Sequence, residues 1–135
     1  MAVLRAFFFL VATLVLTSIA FAQDRPAVDP NWVVPPKAAE KKNPLGNHPD
    51  AAAGGGKIFS HTCVTCHGDA THARTNNAPD LSSPDVQAES DGALFWRISN
   101  GNARTAMPSF NSLPEGQRWQ LVMYIRTLAR RTASK

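Results

Sequence analysis

Cys63-Val-Thr-Cys66-His67 constrains this chain more than any other stretch of it, because these are its only two cysteines and a histidine follows the second directly. Cysteines three positions apart stand close to one helical turn apart, so both thiols meet the same side of a ligand. Each can add to a vinyl group of one haem, and the next imidazole then lies below the iron with a nitrogen free to ligate. The spacing predicts a single covalently attached haem c, with Cys63 and Cys66 as thioethers and His67 as one axial ligand. The rival chemistries fit less well. In an oxidising compartment two cysteines default to a disulfide, but the adjoining histidine changes that reading. A thioredoxin-like pair belongs to a strand–helix–strand unit, and no strand-like alternation of useful length occurs. A zinc site needs four ligands, which Cys63, Cys66 and two of His61, His67 and His72 would supply. Zinc leaves unexplained an apolar helical shell and a methionine in a proline-containing loop.

That methionine is Met107, in Arg104-Thr-Ala-Met107-Pro108-Ser-Phe110. Pro108 disfavours helical geometry at the residue before it, so the segment reads as a loop between helices that can aim the sulfur at the iron from the face opposite His67. A thioether ligand raises the reduction potential, which suits an electron carrier. Met123 stands mid-helix, where packing explains it. His72, in a loop, is the stronger competitor for the sixth position; His48 and His61 read as surface histidines.

The first 22 residues carry Arg5 and then an apolar run from Phe7 to Phe21, closed by Ala20-Phe21-Ala22. This is the pattern of a secretory signal cleaved before Gln23. The run is short for a membrane span, which takes about 20 apolar residues, so no stable membrane insertion is expected after cleavage. The expected location is the periplasm, with an uncleaved anchor as the alternative. Cleavage removes one of 14 basic residues, leaving 13 against 10 acidic ones, a net charge of +3. So mild an excess, with no basic cluster interleaved with aromatics, gives no reason to expect a nucleic-acid partner.

Residues 23–50 read as a proline-rich extension. Pro26, Pro30, Pro35, Pro36, Pro44 and Pro49 recur through it, each fixing φ and removing a donor, so neither helix nor sheet strand is expected to run through. Trp32, Val33 and Val34 could pin it to the domain or to a partner, and a tail loosely packed on its own domain is the expected arrangement. The folded domain is expected over 51–135, all-α, with three main helices. The first covers Ala51 to Cys66, with Ile58 and Phe59 as apolar contacts. The second runs from Asp91 to Asn100, capped by Ser90 or Asp91 and stopped by Gly101. The third opens on a capping box at Ser112-Leu-Pro-Glu115 and carries Leu121, Tyr124, Ile125 and Leu128 at helical spacing, widened by Trp119, Val122 and Met123. Arg126, Arg130 and Arg131 complement its dipole as a solvated terminus. A core this small is marginal alone, and a large apolar cofactor would complete it.

Three motifs in this order carry a family resemblance: Gly55-Gly-Lys-Ile-Phe59 ahead of the haem motif and Gly68; Ala106-Met107-Pro108-Ser-Phe110; and Trp119-Gln-Leu121-Val-Met-Tyr124-Ile-Arg-Thr-Leu128. From about Gly54 to Leu128 the chain resembles class I c-type cytochromes, the small bacterial single-haem kind. The resemblance implies the cytochrome c fold, with first and last helices crossing where Gly55 and Phe59 meet Leu121 and Tyr124. It also implies that the Pro79 carbonyl accepts the second ring N–H of the histidine ligand. This sequence has Ala78 where relatives often carry glycine, and Asn76 and Asn77 in place of a glycine-rich loop. The resemblance implies electron transfer rather than bond-making catalysis, with redox proteins such as a dehydrogenase, an oxidase or other cytochromes as partners. Three functional readings are open: a free carrier, a dedicated electron-transfer subunit of a periplasmic dehydrogenase or oxidase, and a haem sensor or enzyme whose iron Met107 leaves open.

Overall fold

Proline at the first position of a helix is pre-set for the turn it enters, and in the computed structural model two of the six helices among the described residues begin this way. The structure describes residues 29, 31–69, 74, 75 and 78–133. The helices are α1 (Pro36–Ala39), α2 (Ala51–Thr62), α3 (Val64–His67), α4 (Pro84–Ala88), α5 (Asp91–Asn100) and α6 (Glu115–Ala133). Among the described residues there is no strand, only an isolated antiparallel bridge between Asn102 and Met107. The architecture is all-α. The leader over residues 1–22, Pro26, Pro30, His72, Asn76, Asn77 and the side chains of Arg130 and Arg131 lie outside what is described.

The crossing of α2 and α6 organises the fold. A Cβ built on Gly55 would lie 1.9 Å from the Gln120 carbonyl oxygen, so only glycine lets the two backbones come this close. Phe59, one turn on, is buried and packs against Tyr124 at a ring-centroid distance of 5.1 Å. The α6 stripe expected from the spacing is the core: Trp119, Leu121, Val122, Ile125 and Leu128 are all buried, and Tyr124 packs against them. α5 adds Leu94, Phe95 and Ile98, with Phe95 stacked on Trp119 at 4.0 Å. Its N-terminus is capped by Ser90, whose Oγ accepts from the Ala93 N–H at 3.1 Å. α4 is held the same way by Ser83 and by Pro84 in its first turn.

Four expectations are corrected. The first helix does not run unbroken to Cys66: Cys63 departs to φ −108° between α2 and α3. β-Branched Thr62, Val64 and Thr65 crowd this turn and lower its helical preference. The capping box at Ser112 does not form. The Pro114 carbonyl accepts from the Gln117 and Arg118 N–H groups, and Glu115 turns to the Trp119 indole N–H and toward Lys41. Arg126 is no solvated end. It is half-buried, pairs with Asp91 at 2.8 Å and donates to the Gln87 and Glu89 carbonyls, tying α6 to α4 and α5.

The fourth correction concerns the extension. Its prolines do not exclude a helix, since Pro36 starts the single turn α1. Nor is its described part a loose tail. Ser90 Oγ donates to the Ala39 carbonyl at 2.6 Å. Trp32 meets Trp96 and lies under the Arg97 guanidinium, 4.4 Å from the ring centroid. Arg97 also donates to the Trp32 carbonyl at 2.8 Å.

Candidate functional site

The kink at Cys63 turns α3 so that Cys63, Cys66 and His67 border one cavity of about 380 Å³, a size within the range of small-molecule and cofactor sites. Gly68, at φ 61°, ends the turn and donates to the Val64 carbonyl at 2.9 Å. The floor and walls are apolar: Phe59 from α2, Leu94 and Ile98 from α5, Leu121 and Ile125 from α6. Met107 and Pro108 close another side, and Ala78 and Pro79 border the His67 end. Cys63, Cys66 and His67 thus share this cavity with Pro79 and Met107, brought from two other segments of the chain. Met123, His48 and His61 do not line it; His48 and His61 are exposed.

Burial shifts the protonation of His67 and Cys63. Desolvation pulls His67 below the ordinary histidine range, partly countered by the nearby Pro79 carbonyl. The neutral imidazole, the form that binds a metal, is favoured. The Pro79 carbonyl acts on the ring electrostatically, but the pair does not reach hydrogen-bond geometry, and His67 Nδ1 is buried without a partner. The Cys63 thiol is pushed up to about 11, by burial first and by Cys66 second.

The methionine side of the cavity is a tight loop. Gly101 ends α5 at φ 64°, and a Cβ there would lie 2.4–2.6 Å from Met107 and Pro108 backbone atoms. The Asn102 N–H donates to the Met107 carbonyl at 2.8 Å, and the Met107 N–H returns to the Asn102 carbonyl at 3.1 Å. Phe110 N–H reaches the Ile98 carbonyl and Ser109 Oγ the Ser99 carbonyl. Ala106, directly before Met107, is held at φ 62°, the one non-glycine residue with positive φ among those described.

A polar corner completes the wall, and sequence reasoning missed most of it. Asp29, Trp32, Glu89 and Arg97 all line the cavity. Arg97 Nε is bonded to both Glu89 oxygens, at 2.7 and 3.0 Å. The Trp32 indole N–H is buried without a partner. An indication was present in the sequence: Arg97 falls on the same α5 face as Leu94 and Ile98, where an apolar residue would be expected. What it pairs with could not be read, because Glu89 and Trp32 lie on other elements.

These features fit a haem. Its ring would take the apolar walls, its iron a neutral imidazole and a thioether, and its vinyl groups the two thiols. A buried indole N–H left unpaired costs roughly 1–3 kcal/mol, and a haem carboxylate is an acceptor of the kind it lacks. Among the described residues no helix is long and apolar enough to cross a membrane. No curated protein matches the chain. The family described as cytochrome c oxidase, cbb3-type, subunit III matches residues 50–125, more than half of the chain and all of α2 to α5. With its all-α fold, the chain belongs to that family and carries a c-type cytochrome domain, which implies haem c and electron transfer.

Proposed function

We propose that the chain is an exported single-haem c-type cytochrome that passes one electron at a time between redox proteins in the periplasm. In this reading Cys63 and Cys66 hold the haem through thioethers, and His67 and Met107 are the axial ligands. Bound there, haem c supplies the one-electron Fe(II)/Fe(III) couple. The observation that carries the reading is the convergence of Cys63, Cys66, His67 and Met107 on one apolar cavity. Burial keeps the His67 imidazole neutral and ready to ligate. The α2–α6 crossing and the bonded Met107 loop restrain both ligand-bearing segments, so the ligand set changes little with oxidation state and reorganisation is small. The apolar walls exclude water from the iron, and the Trp32 indole N–H is available to a haem carboxylate. Pro79 is proposed as the acceptor for His67 Nδ1, with a small shift of either group completing the bond and fixing the imidazole's orientation.

A second reading, a dedicated electron-transfer subunit of an oxidase or dehydrogenase, is favoured by the family's description as an oxidase subunit. It keeps the same site and differs only in a lasting partner. The deciding experiment for the site is a visible spectrum of protein matured with haem-attachment machinery, oxidised, reduced, and reduced under carbon monoxide. Low-spin spectra in both states, a sulfur-to-iron charge-transfer band when oxidised and no response to carbon monoxide are expected. A high-spin spectrum or rapid carbon monoxide binding would overturn Met107 as ligand and leave an open-iron sensor or enzyme. Co-purification with a terminal oxidase would select the second reading.

A further inference from the structure

The extension touches the cavity at two points, and one of them bears on the methionine loop. Asn102 is buried, and its backbone holds Met107 through both peptide hydrogen bonds. Both ends of its side chain are engaged: Oδ1 accepts from the Arg104 N–H at 3.0 Å, and Nδ2 donates to Asp29 Oδ2 at 3.2 Å. Asp29 Oδ1 accepts from the Asn31 N–H at 2.9 Å, and its other oxygen lies 3.8 Å from the Arg104 guanidinium. One carboxylate from the extension thus engages the Met107 loop at Asn102 and at Arg104. The segment behind it is anchored independently, through Trp32 on Arg97 and Trp96.

The loop needs such restraint. An alanine at φ 62° is strained and persists only where its surroundings over-determine the backbone, and this one immediately precedes the proposed ligand. Relaxing Ala106 would turn the Met107 side chain away from its present direction. From these contacts we infer that Asp29 and Asn102 are positioning residues for the sixth ligand: the proline-rich extension latches the Met107 loop and keeps the sulfur on the iron. The latch rests on the proposed His67–Met107 ligation. It gives the extension a role inside its own domain, separate from docking to a partner.

The test compares native holoprotein with Asp29→Ala and Asn102→Ala, each matured with haem attached. The readouts are the sulfur-to-iron band of the oxidised protein and the rate of carbon monoxide binding to the reduced one. The Asp29 carboxylate engages Asn31, Asn102 and Arg104, none of them in a helix, so its variant should fold even if Asn102→Ala does not. Asp29→Ala is expected to weaken the band and to raise carbon monoxide binding roughly three- to tenfold, the scale that one hydrogen bond supplies. Adding Ala106→Gly to Asp29→Ala removes the backbone strain and should recover much of the band. Thermal unfolding of each holoprotein is read alongside, since a general loss of stability would lower Tm while leaving the band intact well below it. A native band with an unchanged band and unchanged carbon monoxide rate in Asp29→Ala overturns the latch alone. Absence of the band in the native protein overturns the ligand assignment, and the latch with it.

Discussion

Replacing Gly55 by alanine should damage this protein far more than the same change at either neighbouring glycine. A Cβ at residue 55 would lie 1.9 Å from the Gln120 carbonyl oxygen, 2.5 Å from its carbon and 2.9 Å from Tyr124 Cβ. Ordinary contact begins near 3.4 Å, so the shortfall against backbone is 1.5 Å. Neither helix can absorb it by turning a side chain. α2 and α6 must separate, loosening the packing of Phe59 on Tyr124 and Leu121. Overpacking of this kind costs about 3 kcal/mol or more, offset by the roughly 1 kcal/mol that alanine gains over glycine inside a helix. The net loss of about 2 kcal/mol corresponds to a drop of roughly 8–16 °C in Tm for a domain of this size. At residue 54 the atoms nearest the added methyl are those of the Gln120 side chain, at 3.0–3.1 Å, and at residue 56 the edge of the Tyr124 ring, at 3.2 Å. Both groups can give way, so Gly54→Ala and Gly56→Ala should be neutral or slightly stabilising. Thermal unfolding of the three holoproteins by circular dichroism decides it. A Gly55→Ala protein that unfolds within about 2 °C of native, or a Gly54→Ala protein damaged equally, would refute the close-crossing argument.

Met107→His should keep the iron six-coordinate while lowering the potential, as exchange of thioether for imidazole requires; an unchanged potential in a redox titration would rule Met107 out. Arg97→Ala leaves Glu89 half-buried and unpaired, their side chains being 18% and 15% exposed for Glu89 and Arg97 respectively, and releases the Trp32 carbonyl and ring. A loss of about 2–4 kcal/mol is expected, read as a lower urea midpoint at unchanged slope, with faster proteolysis in residues 31–50. Asp29 is held below its ordinary value of 3.8, chiefly by the Asn31 N–H, then by the Asn102 amide, with burial opposing. A depressed carboxylate contributes stability that is present above the unfolded pKa and lost as pH falls through the folded one. The Tm difference between native protein and Asp29→Asn should therefore be constant from neutral pH down toward 4 and close below it; a difference that closes between pH 6 and 7 would assign the effect to another group.

The haem motif, the α6 stripe and the Ser90-capped α5 were legible because each is a local pattern. Spacing along one helix decides which side chains share a face, and a capping residue lies within three positions of the N–H it satisfies. The gathering of Met107 with His67 was legible less directly, from Pro108, which marks its segment as a loop, and from the order of motifs that carries the resemblance. Other features were legible in part: Ser83-Pro84 is a helix start, yet a five-residue helix has too little periodicity to be recognised. The extension was misjudged because proline content describes what a backbone cannot do, not what it packs against. By itself the sequence determined the three main helices and the spacing that sets the two thiols beside His67, all products of contacts a few residues apart. Only the tertiary structure decided that Glu89, Arg97 and Trp32 would form one wall, that Asp29 would reach Asn102, and that Ala106 would be forced to positive φ. Those outcomes depend on pairings 8 to 73 residues apart, and distant polar groups find one another only after the apolar faces have fixed how the helices cross.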